Sequence, residues 1–576
     1  MTLFEAHIVP IVIAFFREKL VNITSIKEAN IVLQEVCGIH SFFENEHDLA
    51  IVNDNITASS SVVEEPNRRA YGDFQTNVQL ANSVTSLLHQ KNIQPELVIE
   101  PTCGKGNFIL AALQQFSTIQ KIVGIEIYLP YVWETKFRIL ELFLEKKALC
   151  QPNIEIRHQD IFTVDLKQLV QQNQALQLLI IGNPPWITNA ALTTLDSDNL
   201  PKKSNFKHLK GLDAITGKGN FDIGEYISLQ LLQYFDRHDG HFAFLIKNSV
   251  VKNIVQEQPK HHYHIGHIRQ LNIDAKKEFK VAVNASLCLA QLNTTPAYTC
   301  QEQDFYTQET KTKFGWEQDK FVYSIADYHT VQALDDISPF VWRQGMKHDC
   351  SKIMELEQSE EHYINGFKEL VVLEEDLLFG LIKSSDLKHE TLQSHRKTTI
   401  VTQKKIGQDT HYIKDYYPKT YTYLDKNRAY FDKRKSSIYK GKPPFSIFGI
   451  GNYSFKKYKV AISGMYQRTT FSLVLPNQNK PRMLDDTCYF IGFDTLVEAQ
   501  IAQKILNSTL VQALLKAIIF PDAKRPITKN ILMRIDLKKA YHLLCTDKRY
   551  ADHPDWKQFE QHLTQKTTNL NQMKLF

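Results

Sequence analysis

Leu178-Leu179-Ile180-Ile181 is an unbroken apolar run, closed by Gly182 and then by Asn183-Pro184-Pro185-Trp186. Four consecutive apolar side chains cannot alternate between water and core, so the segment reads as a strand buried on both faces. Two successive prolines cannot donate to a ladder, so the chain must leave the sheet there, at the strand's carboxyl edge. Flanking segments repeat the pattern. Leu97–Glu100, Ile122–Ile127, Ile154–Arg157, His241–Ile246, Ile265–Leu271 and Val281–Leu292 are predicted strands, and Gln79–Leu88, Asn107–Phe116, Tyr131–Leu149 and Ile223–Phe235 predicted helices. Strands alternating with helices predict an α/β, Rossmann-like domain with a mostly parallel sheet.

The chain has 576 residues, so about three or four units fit. Its net charge of +5 hides a segregation. Residues 1–395 carry 36 basic and 49 acidic side chains, whereas 396–470 carry 17 basic and 4 acidic. A basic block behind an acidic body points to a polyanionic partner for one region alone. Eight scattered cysteines without a C-x-x-C pair suit a reducing cytoplasm rather than a zinc ribbon or disulfide framework. His261, His262, His264 and His267 have no cysteine companion and read as a polar turn, so no metal is expected. The apolar stretch Ile8–Phe16 is too short for a membrane span and lacks a secretory signal's basic start. Residues 1–65 are expected to form a helical extension with no catalytic pattern.

Glu100-Pro101-Thr102-Cys103-Gly104-Lys105-Gly106-Asn107-Phe108 is a strand end, a tight turn and a helix start. Gly104 and Gly106 let the backbone bend sharply and approach a ligand closely. Twenty residues on, Glu126 ends the next strand, where a carboxylate can accept from both hydroxyls of a ribose. Asp160, after the third strand, can accept from an adenine amino group. The full G-x-G-x-x-G fingerprint is absent, so this segment alone equally fits an ordinary βα turn.

The Asn183 tetrapeptide carries a more specific chemistry. An exocyclic amino group on a base is a poor nucleophile, because its lone pair is delocalised into the ring. Two acceptors aimed at its hydrogens, the Asn183 side-chain oxygen and the Pro184 carbonyl, favour a pyramidal nitrogen with a freer lone pair. Pro184 and Pro185 stiffen that geometry, and Trp186 offers a face for the base.

Taken in order, Tyr71-Gly72-Asp73-Phe74-Gln75-Thr76, Glu100–Phe108, Glu126, Asp160 and Asn183-Pro184-Pro185-Trp186 resemble the S-adenosylmethionine-dependent adenine-N6 DNA methyltransferases in their gamma motif order. The resemblance implies a class I methyltransferase domain over 66–335, a mixed α+β target-recognition domain over 340–545 and a tail over 546–576. It implies that Thr76, Glu100, Pro101, Thr102, Gly104 and Gly106 surround the cofactor's methionine part. Glu126 and Ile127 would take the ribose side, Asp160 and Ile161 the adenine, and Phe221 a cofactor flank. Asn183, Pro184, Pro185 and Trp186 would be catalytic, with Phe279 opposite the prolines against the target base. Asn77 stands where a proline often follows the Thr, and Trp186 replaces the commoner Tyr or Phe. Thr188–Asn220, with five lysines, reads as a lid or a solvated insertion.

Residues 396–470 interleave cations with aromatics, and Lys433, Arg434, Lys456 and Lys457 are the expected DNA contacts. The expected partners are double-stranded DNA and a separate cognate restriction endonuclease, for a monomer in a bacterial or archaeal cytoplasm, near the nucleoid and not on a membrane. An RNA or protein-glutamine methyltransferase with the same site, or an inactive DNA-binding protein, are the alternatives.

Overall fold

The computed structural model describes residues 8–57, 75–186, 222–359, 362–523, 525–545 and 559–561. Two compact units divide the chain, Met1–Phe321 and Val322–Phe576.

The first unit opens with three helices, α1 (Pro10–Lys19), α2 (Ile26–Cys37) and α3 (Glu46–Thr57). After them come α4 (Val78–Gln90), β1 (Leu97–Glu100), α5 (Asn107–Gln115), β2 (Lys121–Glu126), α6 (Leu129–Leu144) and β3 (Asn153–His158). The chain continues through α7 (Leu166–Gln171), β4 (Leu178–Gly182), α8 (Ile223–Phe235), β5 (Gly240–Lys247), α9 (Asn248–His261) and β6 (Gly266–Ile273). Short α10 (Ala275–Phe279) precedes β7 (Ala285–Gln291), β8 (Thr299–Asp304), β9 (Thr310–Glu317) and β10 (Lys320–Val322). Every residue of β1 and β4 is buried, as their unbroken apolar runs require.

The sheet order is β10-β9-β8-β6-β7-β5-β4-β1-β2-β3. β3, β2, β1, β4 and β5 pair in parallel, whereas β7 is inserted antiparallel between β5 and β6. This mostly parallel sheet, with β7 inserted antiparallel and β9 antiparallel to β8 beyond it, is covered by helices and is the class I methyltransferase fold. The chain runs outward from β1 to β3 and then returns to lay β4 on the other side of β1. Strand order therefore reverses between β1 and β4, and their carboxyl ends frame the crevice where open α/β sheets take ligands.

The second unit holds a five-stranded and a six-stranded mixed sheet. The strand Tyr458–Ser463 is central to the former, and Lys397–Ile400 lies within the latter. Leu496–Ile519, readable as one helix, is two: Leu496–Leu506 and Thr509–Ile518. Ser508 divides them, its hydroxyl accepting from the Val511 N–H as a new cap. Among the described residues no helix is long and apolar enough to cross a membrane.

Candidate active site

The turn after β1 is bent by two glycines in the left-handed region, Gly104 (φ +53°) and Gly106 (φ +74°). Any Cβ at Gly104 would lie 2.6 Å from the Gln75 amide oxygen, and one at Gly106 would lie 2.6 Å from the Thr135 methyl. Both positions thus need glycine for conformation, and Gly106 also for space, since the Thr135 side chain there is stiff and bonded in place. Side chains from outside the turn then fasten it. Thr135 Oγ1 donates to the Gly104 carbonyl at 2.9 Å, and Arg138 Nη1 donates to the Lys105 carbonyl at 2.6 Å. Asn107 Nδ2 donates to the Thr76 carbonyl at 2.5 Å, bringing the segment before α4 onto the turn.

Glu126, at the end of β2, accepts from the Gly104 N–H and the Tyr128 N–H, both at 2.8 Å. These bonds aim the carboxylate into the crevice end of the turn. A carboxylate oxygen has two lone pairs, so two backbone donors do not exhaust it. Glu100 is buried beside it. Burial raises the Glu100 carboxyl well above the usual range, outweighing a backbone hydrogen bond at Ile109 that lowers it, and Glu126 adds to the rise. Among the described residues, Glu100 Oε2, Thr102 Oγ1 and Asn107 Oδ1 are buried polar atoms with no hydrogen-bond partner. Buried acceptors left open around one turn fit a polar ligand seated there. Asp160 Oδ1 accepts from the Phe162 N–H at 3.0 Å and caps the turn Ile161–Thr163, with Ile161 buried, whereas Ile127, just past the end of β2, is exposed.

Asn183 follows β4 directly. A Cβ on the preceding Gly182 would stand 3.6 Å from Glu100 Cγ and 3.7 Å from Pro101 Cδ, which places the two motifs side by side. The Pro184-Pro185 turn rests on the start of α8, where a Cβ at Gly224 would meet Pro184 Cγ and the Pro185 carbonyl at 3.4 Å. Asp222 caps that helix through Gly224 N–H and pairs with Lys247 at 2.5 Å, while Lys247 Nζ also donates to the Trp186 carbonyl at 3.0 Å. Lys247 thereby ties the end of the catalytic segment to the end of β5. A lysine closing an apolar strand was its sole signal in the sequence.

Trp186 and Phe279 are brought together, but not as two walls with a gap. Their ring centroids are 4.9 Å apart in an edge-on contact, and they are 6% and 7% exposed. A base stacked between two rings needs about 7 Å, twice a carbon–carbon contact. In this conformation the two rings close on each other, with no gap of that width between them. The indole N–H donates to the Leu245 carbonyl at 3.2 Å, which fixes the ring's plane. Asn77 caps α4 at Leu80 and donates to Glu278 Oε2 at 2.8 Å, so the residue next to Thr76 holds the residue next to Phe279. Phe221, Tyr71–Phe74 and Thr188–Asn220 lie outside the described residues.

In the second unit the expected DNA contacts divide. Lys433 is exposed. Arg434 is half-buried and largely committed inside the fold. It donates to the carbonyls of Phe431, His348 and Ser446 at 3.0, 3.2 and 2.6 Å, and it lies 3.7 Å from the Tyr439 ring centre. Lys456 is ion-paired with Asp494 at 2.5 Å, and Lys457 donates to Asn479 at 3.3 Å. Sequence reading passed over exposed cations on two neighbouring loops, Lys404, Lys405, Lys440 and Lys442. Those loops are stapled by Thr402 Oγ1 to the Phe445 carbonyl at 2.8 Å and Thr410 Oγ1 to the Pro444 carbonyl at 2.6 Å.

No protein-family model matches the chain. It is 38% identical over 476 residues to the type II methyltransferase M.NspV of Nostoc sp. (strain ATCC 29411 / PCC 7524), covering 82% of this chain and 98% of that protein. A shorter likeness, 28% over 182 residues, is to ribosomal RNA small subunit methyltransferase A of Mycoplasma capricolum subsp. capricolum, covering 31% of this chain and 62% of that one. The fold matches the type IIL restriction-modification enzyme MmeI, solved in complex with DNA, with a TM-score of 0.51 at 11% identity over 98% of this chain and 91% of that one. On the extent of its likeness to the Nostoc enzyme, the chain belongs to the type II methyltransferases.

Proposed function

We propose that this chain methylates the N6 amino group of a flipped-out adenine at a specific site in duplex DNA, as the modification enzyme of a type II restriction–modification system. The methyl donor is S-adenosylmethionine, which supplies an electrophilic methyl on a sulfonium. The observation that carries the reading is the adjacency of Asn183-Pro184, at the end of β4, to Glu100-Pro101, at the end of β1. One crevice then holds donor and acceptor, and the barrier falls mainly through positioning and preorganised dipoles.

Glu126 and Asp160 bind the donor's ribose and adenine, Thr76 and the Pro101–Gly106 turn its amino-acid end. Asn183 Oδ1 and the Pro184 carbonyl accept from the two amino hydrogens of the target base and free its lone pair. Because Trp186 and Phe279 touch, base entry parts them, and Trp186 then stacks on the base. Unstacking the base costs a few kcal/mol, roughly, before these contacts form. DNA is gripped in the second unit by Lys433 and the cations of the loops at 404–405 and 440–442. Arg434 braces that surface from within.

The test is transfer of a labelled methyl group to duplex DNA, RNA and protein in parallel, followed by nucleoside mass spectrometry. Methyladenine in DNA is expected, and Asn183→Ala should lose it while binding duplex normally. Label only in RNA or protein would sink the reading.

A further inference from the structure

Residues 8–57 touch two elements of the candidate site, β3, which leads to Asp160, and α6, which holds the cofactor turn. After α2 the chain turns at Gly38 (φ +74°), where a Cβ would lie 2.1 Å from the Pro152 carbonyl oxygen. Gly38 and His40 then bond along β3, with the Ile154 N–H donating to the Gly38 carbonyl at 2.8 Å and the His40 N–H to the Ile154 carbonyl at 3.1 Å. β3 is the terminal strand of the sheet and leads to Asp160. The extension therefore caps an otherwise open edge beside the adenine end of the site.

Its second contact is with α6. Phe16 and Phe42 pack on Phe137 at 6.0 and 5.6 Å, and Phe43 packs on Trp133 at 5.9 Å. Inside this aromatic layer lies Lys136, only 1% exposed, whose Nζ donates to the carbonyls of Phe42 and Ser41 at 2.9 and 3.2 Å. Burial pushes its ammonium down to about 8, against the pull of Glu44 and Asp48. An apolar side chain would fill that space without a desolvation cost, so the lysine's distinctive contribution is a directional grip on two carbonyls. Its neighbours on α6 face the other way, with Thr135 on the Gly104 carbonyl and Arg138 on the Lys105 carbonyl.

We propose that the N-terminal helices are a positioning element of the cofactor site, in which Lys136 fixes α6 so that Thr135 and Arg138 hold the Gly104–Lys105 turn. Lys136 is a positioning residue rather than a catalytic one, and the inference rests on the reading of that turn as the methyl-donor site. Displacement of α6 moves both carbonyl anchors together, so donor binding responds and duplex binding does not.

The experiment measures binding of S-adenosylmethionine and of duplex DNA separately, with the full-length chain, by titration calorimetry and by anisotropy. Lys136→Met is expected to weaken the donor about tenfold, the scale of one charged hydrogen bond, and leave duplex affinity within about twofold. Thr135→Val should do the same and Thr135→Ser restore it. The double variant Lys136→Met/Thr135→Val should lose less than the sum of the two single losses, since Thr135 is one of the two anchors through which Lys136 acts. Phe42→Leu carries the same test if Lys136→Met does not fold. Wild-type donor affinity in these variants, equal loss of both affinities, or additivity in the double variant would overturn the proposal. A wild-type chain that binds no donor would instead overturn the cofactor reading, and the inference with it.

Discussion

In the crevice at β1 and β4, polar groups are buried and the ones that shape the turn are aimed by specific bonds. Glu126 is set by two backbone N–H groups, and the Gly104 and Lys105 carbonyls by Thr135 and Arg138. In the basic stretch 396–470 the cations are of two kinds. Arg434 and Lys456 are committed to internal carbonyls or to a carboxylate, while Lys404, Lys405, Lys433, Lys440 and Lys442 stand in water. A preorganised site works through the exact placement of a few atoms, so one substitution is costly. A polyelectrolyte surface works through the number of free charges, so its losses are small and add up. Excess charge in a sequence therefore overstates the binding surface, because some of those charges serve the fold.

That contrast can be broken most directly at Asn183. Asn183→Ala should lower single-turnover methylation by about 10²–10³-fold or more, the scale of removing one preorganised polar contact, with duplex binding unchanged. Turnover within a few fold of wild type would remove the preorganised side of the comparison. Next in size, Glu126→Ala should weaken S-adenosylmethionine by roughly 10–100-fold, about 1.4–2.7 kcal/mol, since it loses a charged acceptor and frees the Gly104 N–H. Calorimetric titration reads it directly.

The basic surface should respond gradually. Replacing Lys404, Lys405, Lys440 and Lys442 together by Ser should make the slope of log K against log salt shallower by about 3 to 4, near 0.9 per phosphate contact. Arg434→Ala should instead lower the melting temperature and leave the slope alone. An unchanged slope in the fourfold variant would move the DNA surface elsewhere.

A smaller effect separates buried from free lysines. Lys459 is buried in the strand Tyr458–Ser463, and burial pushes it down to about 7. An unfolded lysine holds its proton to about 10.4, so the unfolded chain binds the extra proton between those values and stability rises with pH across that window. Lys459→Met should be more stable than wild type at pH 7, by on the order of 2 kcal/mol, with the gap closing toward pH 10. Denaturant melts at several pH values measure this, and a gap that widens with pH would reverse the sign. Smallest of all, Lys456→Ala should change stability by less than about 1 kcal/mol, because its pair with Asp494 is exposed.

Much of the first unit was legible before any coordinates. Leu97–Glu100 and Ile223–Phe235 were readable to the residue, and β2 through β5 to within one or two positions at each end. Apolar runs, glycines and prolines are local signals, and they act on the backbone that carries them. Asn183 and Glu100 were each recognisable as strand-end motifs. Their adjacency follows from strand order, which alternation alone does not state.

Four features were decided by tertiary structure. β7 enters the sheet antiparallel, the N-terminal helices pack into the core of the first unit through Lys136, Trp186 closes on Phe279, and Arg434 turns inward. Each depends on a partner distant in the chain, as Lys136 does on Phe42 and Arg434 on His348. Period and composition report which side of an element is buried, but not which distant group meets it there. The sequence by itself thus determined the α/β ladder and the two motifs that meet in its crevice. Only the packed chain decided which charges are free to bind and which are held to keep the site in place.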